Sequence, residues 1–203
     1  MRQNLLGIGG YPEAGKDTVA DYLVNSLGWA KVNMSTPLLA QLRTLNPIVD
    51  FKRKHWYSLR RSPVHFSDLT DQVGYVKAKE NAEYRRLMKV YGTDVGREID
   101  ENLWVNIARE TIEQLRLEGN KVVITGMRFP NELQMIRELG GTLLWVDRPS
   151  LDISKHQHSS DESVHEPDFD GTVVNDSSLA RLYIRSVEFL ENVSNLPKDT
   201  RTQ

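Results

Sequence analysis

The chain has 203 residues, enough for one domain with inserted flaps and a sizeable core. Its formal net charge of -2 gives no reason to expect a nucleic-acid partner, and the absence of cysteine excludes disulfides and thiolate metal sites. No run of 18 apolar residues occurs, and Met1-Arg2-Gln3-Asn4 leads straight into a strand too short for a signal segment, so a soluble, cytoplasmic protein without a membrane partner is expected.

In chain order, residues 4 to 18 run an apolar strand, Leu5-Leu6-Gly7-Ile8, into the spacing G-x-x-x-x-G-K and then into a helix-like segment with Val19, Leu23, Val24 and Leu27. Strand, loop and helix are the context a phosphate cradle requires. Gly10 and Gly15 can take backbone angles that other residues avoid, successive amides turn inward, and Lys16 brings a charge to the outer phosphates. ATP is the expected ligand. Gly28 closes the helix, and Trp29-Ala30-Lys31-Val32-Asn33 is a candidate second strand, followed by a helix from about Pro37 to Leu45. Residues 46 to 80 carry Pro47, Pro63, many charges and weak periodicity, including the basic, aromatic stretch from Lys52 to Arg61, and are predicted to be a mobile insertion rather than core. Helices are predicted over Glu80 to Tyr91 and about Glu101 to Glu118, the second with Trp104, Ala108, Ile112 and Leu115 along one face and Gly119 at its end.

Residues 121 to 125 and 142 to 147 are continuous apolar strands separated by a helix that Pro130 begins and Gly140-Gly141 closes. Such runs suit buried parallel strands. A polar segment, 148 to 169, leads to a short strand at Thr172-Val173-Val174 and a last helix with Leu179, Leu182, Tyr183, Val187 and Leu190, after which the chain from Asn195 should fray. The alternation implies an α/β fold, a parallel sheet covered by helices on both faces with the ligand at the carboxyl ends of the strands.

Three clusters carry candidate chemistry. Where most phosphate loops place Ser or Thr after the lysine to hold magnesium, this chain has Asp17 followed by Thr18. A carboxylate is a good hard-cation ligand, so Asp17 either binds magnesium or simply favours the helix N-terminus. The second cluster brings Arg85, Arg86 and Arg97 near the turn Gly92-Thr93, where guanidinium groups suit a second phosphorylated substrate or, alternatively, form a solvated helix face. Trp104 downstream either stacks on a base or packs in a core. The third follows the strand at 121 to 125, where Arg128 and Glu132 fall at the carboxyl edge of the sheet and either border the nucleotide or form a salt bridge. Arg148, Lys155, His156, His158, Ser160 and Asp161 lie in a stretch suited to closing over ATP and excluding water.

The loop ending Gly15-Lys16-Asp17-Thr18, together with Ser35-Thr36-Pro37-Leu38, Gly92-Thr93-Asp94, Trp104-Val105, Arg128-Phe129-Pro130-Asn131-Glu132, Arg148-Pro149 and Val174-Asn175, closely resembles the phage-type deoxynucleoside monophosphate kinases over roughly residues 4 to 190. The resemblance implies a magnesium-dependent P-loop kinase that moves the γ-phosphoryl group of ATP to a deoxynucleoside monophosphate, in the host cytoplasm if phage-encoded. It implies a single domain over 1-195 with an acceptor flap about 40-90, a lid about 148-166 and a disordered tail at 196-203; a homodimer is left open. Gly10, Ala14, Gly15, Lys16, Asp17, Thr18 and Arg148 would hold ATP, with Asp17 near the metal. Pro37, Leu38, Arg86, Gly92, Thr93, Arg97, Trp104, Arg128 and Glu132 would line the acceptor site, and Lys16, Arg86, Arg97 and Arg128 would act on the transferred group. One departure stands out: the family commonly carries Asp just after the third strand, where this chain has Gly126. Two other readings share parts of the pattern, a kinase resembling dephospho-coenzyme A kinase and a non-catalytic nucleotide-binding module. Base preference and discrimination between deoxyribose and ribose are not encoded in any motif of the chain.

Overall fold

The computed structural model describes residues 4–53, 60–152 and 163–195. The lid candidates Lys155, His156, His158, Ser160 and Asp161, most of the basic stretch after Arg53 and the tail from 196 therefore lie outside the described residues. Two compact units are present, Met1–Met34 with Ala108–Gln203, and Ser35–Ile107. The chain runs β1 (Leu5–Gly9), α1 (Lys16–Leu27) and β2 (Ala30–Asn33), then through the second unit as α2 (Thr36–Leu45), β3 (Ile48–Arg53), β4 (Arg61–His65), α3 (Phe66–Val73), α4 (Tyr75–Ala78), α5 (Ala82–Lys89), a wide π-helical turn at Val90–Val95 and α6 (Gly96–Ile99). Helix α7 (Leu103–Leu117) leads back to the first unit, which continues as β5 (Val122–Thr125), α8 (Pro130–Glu138), β6 (Thr142–Asp147), a short 3-10 turn at Glu166–Asp168, β7 (Gly171–Val174) and α9 (Leu179–Asn195).

The first unit is built on a parallel five-stranded sheet in the order β2-β5-β1-β6-β7. Every residue of β1 and β5 is buried, as is β6 up to its last residue, which is why these strands read as unbroken apolar runs rather than alternating ones. Leu6, Ile8, Val123, Leu144 and Val146 from the sheet join Val19, Ala20 and Leu23 of α1 and Leu182 and Leu190 of α9 in one apolar cluster. Each such side chain contributes about 1.5–3 kcal/mol by leaving water. Tyr22 of α1 stacks on Tyr183 of α9 with ring centroids 4.2 Å apart and planes 5° from parallel. This packing anchors α1, and with it the loop that α1 continues.

The second unit corrects one expectation. Within the segment predicted as a mobile insertion, β3 and β4 pair as an antiparallel hairpin and α3 and α4 follow, with Val49, Val64, Phe66, Leu69 and Ala78 all buried. Phe66 stacks on the fully buried Tyr84 of α5 at 4.0 Å. The phenol of Tyr84 keeps its polarity satisfied by meeting the Thr70 hydroxyl at 3.1 Å. Weak periodicity misled because these elements are short and each buries only one or two residues.

The helix predicted over Glu80 to Tyr91 is also interrupted. Asn81 caps α5 by accepting the Tyr84 amide at 2.9 Å, and the helix widens after Lys89, where Gly92 and Gly96 lower helical preference. No helix among the described residues is long and apolar enough to cross a membrane.

Candidate active site

The first unit carries the loop between β1 and α1. At Gly10 the backbone sits at φ 144°, and a Cβ there would stand 2.5 Å from the Val146 carbonyl oxygen of β6, so only glycine fits. Glu13 takes a left-handed φ of 66° at the tip, a conformation that costs a non-glycine residue of order 1 kcal/mol and is typical of functional loops. Gly15 forms the N-cap of α1, so the first amides of that helix, lacking partners within it, give the loop a positive end. Lys16 is half-buried and its Nζ donates to the Tyr11 carbonyl oxygen at 3.2 Å, which folds the amine back over its own loop.

Two residues from the carboxyl ends of neighbouring strands brace this loop through its backbone. Arg148, just after β6, donates from Nη1 to the Glu13 carbonyl at 3.2 Å and from Nε to the Ser150 hydroxyl at 3.3 Å. Asn175, just after β7, donates from Nδ2 to the Ala14 carbonyl at 2.9 Å, while its own amide donates to the Asp147 carbonyl at 2.7 Å. Arg185 of α9 holds the same strand end, donating to the Val174 carbonyl at 2.5 Å and to Asp176 at 2.7 Å. Between them opens a cleft of about 540 Å³ lined by Glu13, Gly15, Thr18, Arg148, Asn175 and Asp176, among others. Asn175 was visible in the sequence only as part of a motif; its position after the last strand of a parallel sheet was the available signal.

Asp17, on the first turn of α1, is more than half exposed. Its Oδ1 accepts the Thr125 hydroxyl at 3.2 Å and lies 3.3 Å from Lys31 Nζ, which also bonds Asp21 at 2.8 Å. Burial opposes the Lys31 charge, but Asp21 and Asp17 outweigh it and hold the lysine pKa above its ordinary value. Among the described residues, protein donors reach only one oxygen of Asp17, leaving Oδ2 for a hard cation. The described residues bring no three His, Asp or Glu side chains together as a metal cage. In the sequence Lys31, Asn33 and Thr125 read only as strand residues.

At the end of β5, Arg128 is exposed, and Glu132 is buried at 3% exposure, with Oε2 accepting the amides of Arg128 at 2.5 Å and Phe129 at 3.2 Å. Glu132 thus caps α8, and its link to residue 128 runs through the backbone. The Arg128 carbonyl in turn accepts both the amide and the hydroxyl of Ser163.

The remaining candidates fall in the second unit. Leu38 of α2 is buried, and Gly92 approaches it so closely that a Cβ would come within 2.8 Å of Leu38 Cδ2. Trp104 is buried at 5% exposure and donates from Nε1 to the Gly92 carbonyl at 2.8 Å, so its indole braces the Gly92-Thr93 turn from behind. Pro37 and Thr93 are half-buried. Arg86 on α5 is exposed and already engaged: Nε and Nη2 donate to the two oxygens of Glu83 at 2.8 and 2.7 Å. That fork raises the Arg86 pKa and lowers that of Glu83. Arg97 is half-buried and donates to the Glu101 carbonyl at 3.2 Å.

A family model for deoxynucleotide monophosphate kinase matches residues 51–186. A protein of Acanthamoeba polyphaga mimivirus, provisionally named a deoxynucleotide monophosphate kinase, is 25% identical over 203 residues, covering 95% of this chain and 98% of its own. The deoxynucleotide monophosphate kinase of Enterobacteria phage T4 is 26% identical over 122 residues, which is 59% of this chain and 49% of the phage protein. Among solved structures, dephospho-CoA kinase from Campylobacter jejuni overlays with a TM-score of 0.47 at 13% identity, covering 95% of this chain and 98% of that one. So loose an overlay does not bear on the choice of acceptor.

Proposed function

The chain belongs to the deoxynucleotide monophosphate kinase family, a family of phosphotransferases, and from that premise we propose that it transfers the γ-phosphoryl group of ATP to a deoxynucleoside 5′-monophosphate. A phosphate oxygen of the acceptor forms a bond to the γ-phosphorus as the bond from that phosphorus to the bridging oxygen of ADP breaks, giving the deoxynucleoside diphosphate and ADP. The acceptor oxygen is already ionised, so no general base is required, and catalysis is a matter of holding two anions in line and offsetting their charge.

The observation that carries this reading is the braced loop from Gly10 to Thr18, with the N-terminus of α1 and the Lys16 amine. Gly10, Ala14, Gly15 and Thr18 would hold the ATP phosphates through backbone amides and the Thr18 hydroxyl, Arg148 would add its charge at the edge of the cleft, and Lys16 would leave Tyr11 to reach the transferred group. Magnesium, when bound, would neutralise phosphate charge, with Asp17 as its protein ligand.

In the second unit, read as the acceptor flap, Arg86 and Arg97 would take the monophosphate and the Gly92-Thr93 turn its phosphate or sugar. Pro37 and Leu38 would meet the base, and Trp104 would contribute by supporting the turn. Arg128, whose amide is held by the Glu132 cap, would act on the transferred group.

The test is an ADP-release assay with ATP and magnesium across all four deoxynucleoside monophosphates, the matching ribonucleotides and dephospho-coenzyme A. Acceptor-dependent release with at least one deoxynucleoside monophosphate is expected. Turnover with dephospho-coenzyme A alone, or ATP binding without any acceptor-dependent turnover, would overturn the proposal.

A further inference from the structure

Gly126 directly follows β5, at the carboxyl end of the strand that pairs with β2. Gly126 has φ 81°, and a Cβ there would meet the Asn33 side-chain oxygen at 2.9 Å, so the position leaves no room for an aspartate while Asn33 keeps its place. What stands at these two adjoining strand ends is a directed pair of hydrogen bonds. Asn33 Nδ2, at the end of β2, donates to Thr125 Oγ1 at 3.1 Å; the Thr125 hydroxyl, at the end of β5, donates to Asp17 Oδ1 at 3.2 Å. Thr125 is fully buried in a strand that otherwise reads Val122-Val123-Ile124, where a valine would satisfy packing equally well. Because the amide of Asn33 occupies the hydroxyl oxygen as a donor, the hydroxyl proton is directed to Asp17.

We propose that Asn33 and Thr125 are positioning residues for the divalent cation: by holding Oδ1 of Asp17 they keep Oδ2 of that carboxylate available to the metal. The inference rests on the reading of Asp17 as the magnesium ligand. Lys31 also reaches Oδ1, but it is shared with Asp21 and sits closer to that residue, so Thr125 is the partner dedicated to Asp17.

Mn2+ binding to the ADP-bound protein, read from the electron paramagnetic resonance signal of free Mn2+, tests this without turnover. Thr125→Val keeps the shape and removes the donor, and is expected to weaken Mn2+ binding about tenfold, with metal-free ADP affinity unchanged. Thr125→Ser should restore it, and Asn33→Ala, which releases the hydroxyl to rotate, should weaken it by a smaller factor. Asp17→Asn serves as the separate check on the underlying reading. If Asp17→Asn weakens Mn2+ binding while Thr125→Val and Asn33→Ala bind it as the unmodified protein does, the relay has no positioning role. If Asp17→Asn itself changes nothing, the ligand assignment fails and the relay with it. Thermal melts identify any variant that does not fold; Thr125→Ser and Asn33→Ala then decide the matter between them.

Discussion

The two units hold their candidate phosphate-binding groups in different ways. In the sheet-bearing unit the loop is fixed through main-chain atoms: Arg148 and Asn175 grip the carbonyls of Glu13 and Ala14, and Gly10 fits against the Val146 carbonyl. In the other unit the arginines are held locally. Arg86 is forked onto Glu83 one turn away on the same helix, and Arg97 donates to a carbonyl four residues on. A cradle made of backbone is ready before the nucleotide arrives, whereas an arginine already paired must exchange one anion for another. The ATP side is therefore expected to respond to substitution mainly in the rate of the chemical step, and the acceptor side mainly in KM.

The largest effect should come from Lys16→Ala. It removes the cation that the loop itself carries, and a loss in kcat of at least about a hundredfold is expected, by analogy with deleting a single donor to a developing charge. The fold should survive, since α1 is anchored by Val19, Ala20 and Leu23 rather than by the lysine stem. A folded Lys16→Ala enzyme with normal kcat would break the assignment of the donor side. Gly10→Ala attacks the same loop through its geometry. A methyl group at φ 144° and 2.5 Å from the Val146 carbonyl is expected to cost roughly 2–4 kcal/mol, read as a lower midpoint in chemical denaturation with the slope unchanged.

The same contrast explains what the sequence disclosed. The parallel sheet was legible because β1, β5 and β6 are buried on both faces, a condition that leaves long apolar runs, and the phosphate loop because its glycines are dictated by backbone angles. The helix expected from about Pro37 to Leu45 is there as α2, whereas residues 46 to 80 of the second unit were not legible, since their hairpin and helices are short and several large apolar side chains, Ile48, Phe51 and Val76 among them, are exposed. That blurs any periodic pattern. Within the site, Asp17 was visible as an unusual residue at a known position. The Asn33-Thr125 relay was hidden because it joins residues 92 positions apart, a relation only the strand order reveals. Glu132, expected to line the acceptor site, accepts the amides of Arg128 and Phe129 and so caps α8, a local task that the sequence pattern does not separate from a binding role.

A middle-sized effect is expected from Arg86→Ala. If Arg86 binds the acceptor phosphate, KM for the deoxynucleoside monophosphate should rise by about ten- to a hundredfold, the value of a hydrogen-bonded charge, with ATP affinity unchanged by calorimetry. An equal change on both substrates would instead point to disturbance of α5 as a whole and would erase the distinction between the two units.

The smallest effect sharpens the comparison most. Glu83→Gln leaves a side chain of the same size but withdraws the charge that holds Arg86, so the acceptor phosphate no longer has to displace a carboxylate. KM for the acceptor should fall by roughly two- to fivefold, in keeping with the modest strength of an exposed ion pair, while kcat and ATP affinity stay as they are. The sign is what matters: a carboxylate that merely orders Arg86 for binding would, on removal, raise KM instead. Steady-state kinetics with the acceptor varied at saturating ATP separates the two, because competition and preorganisation move the same parameter in opposite directions.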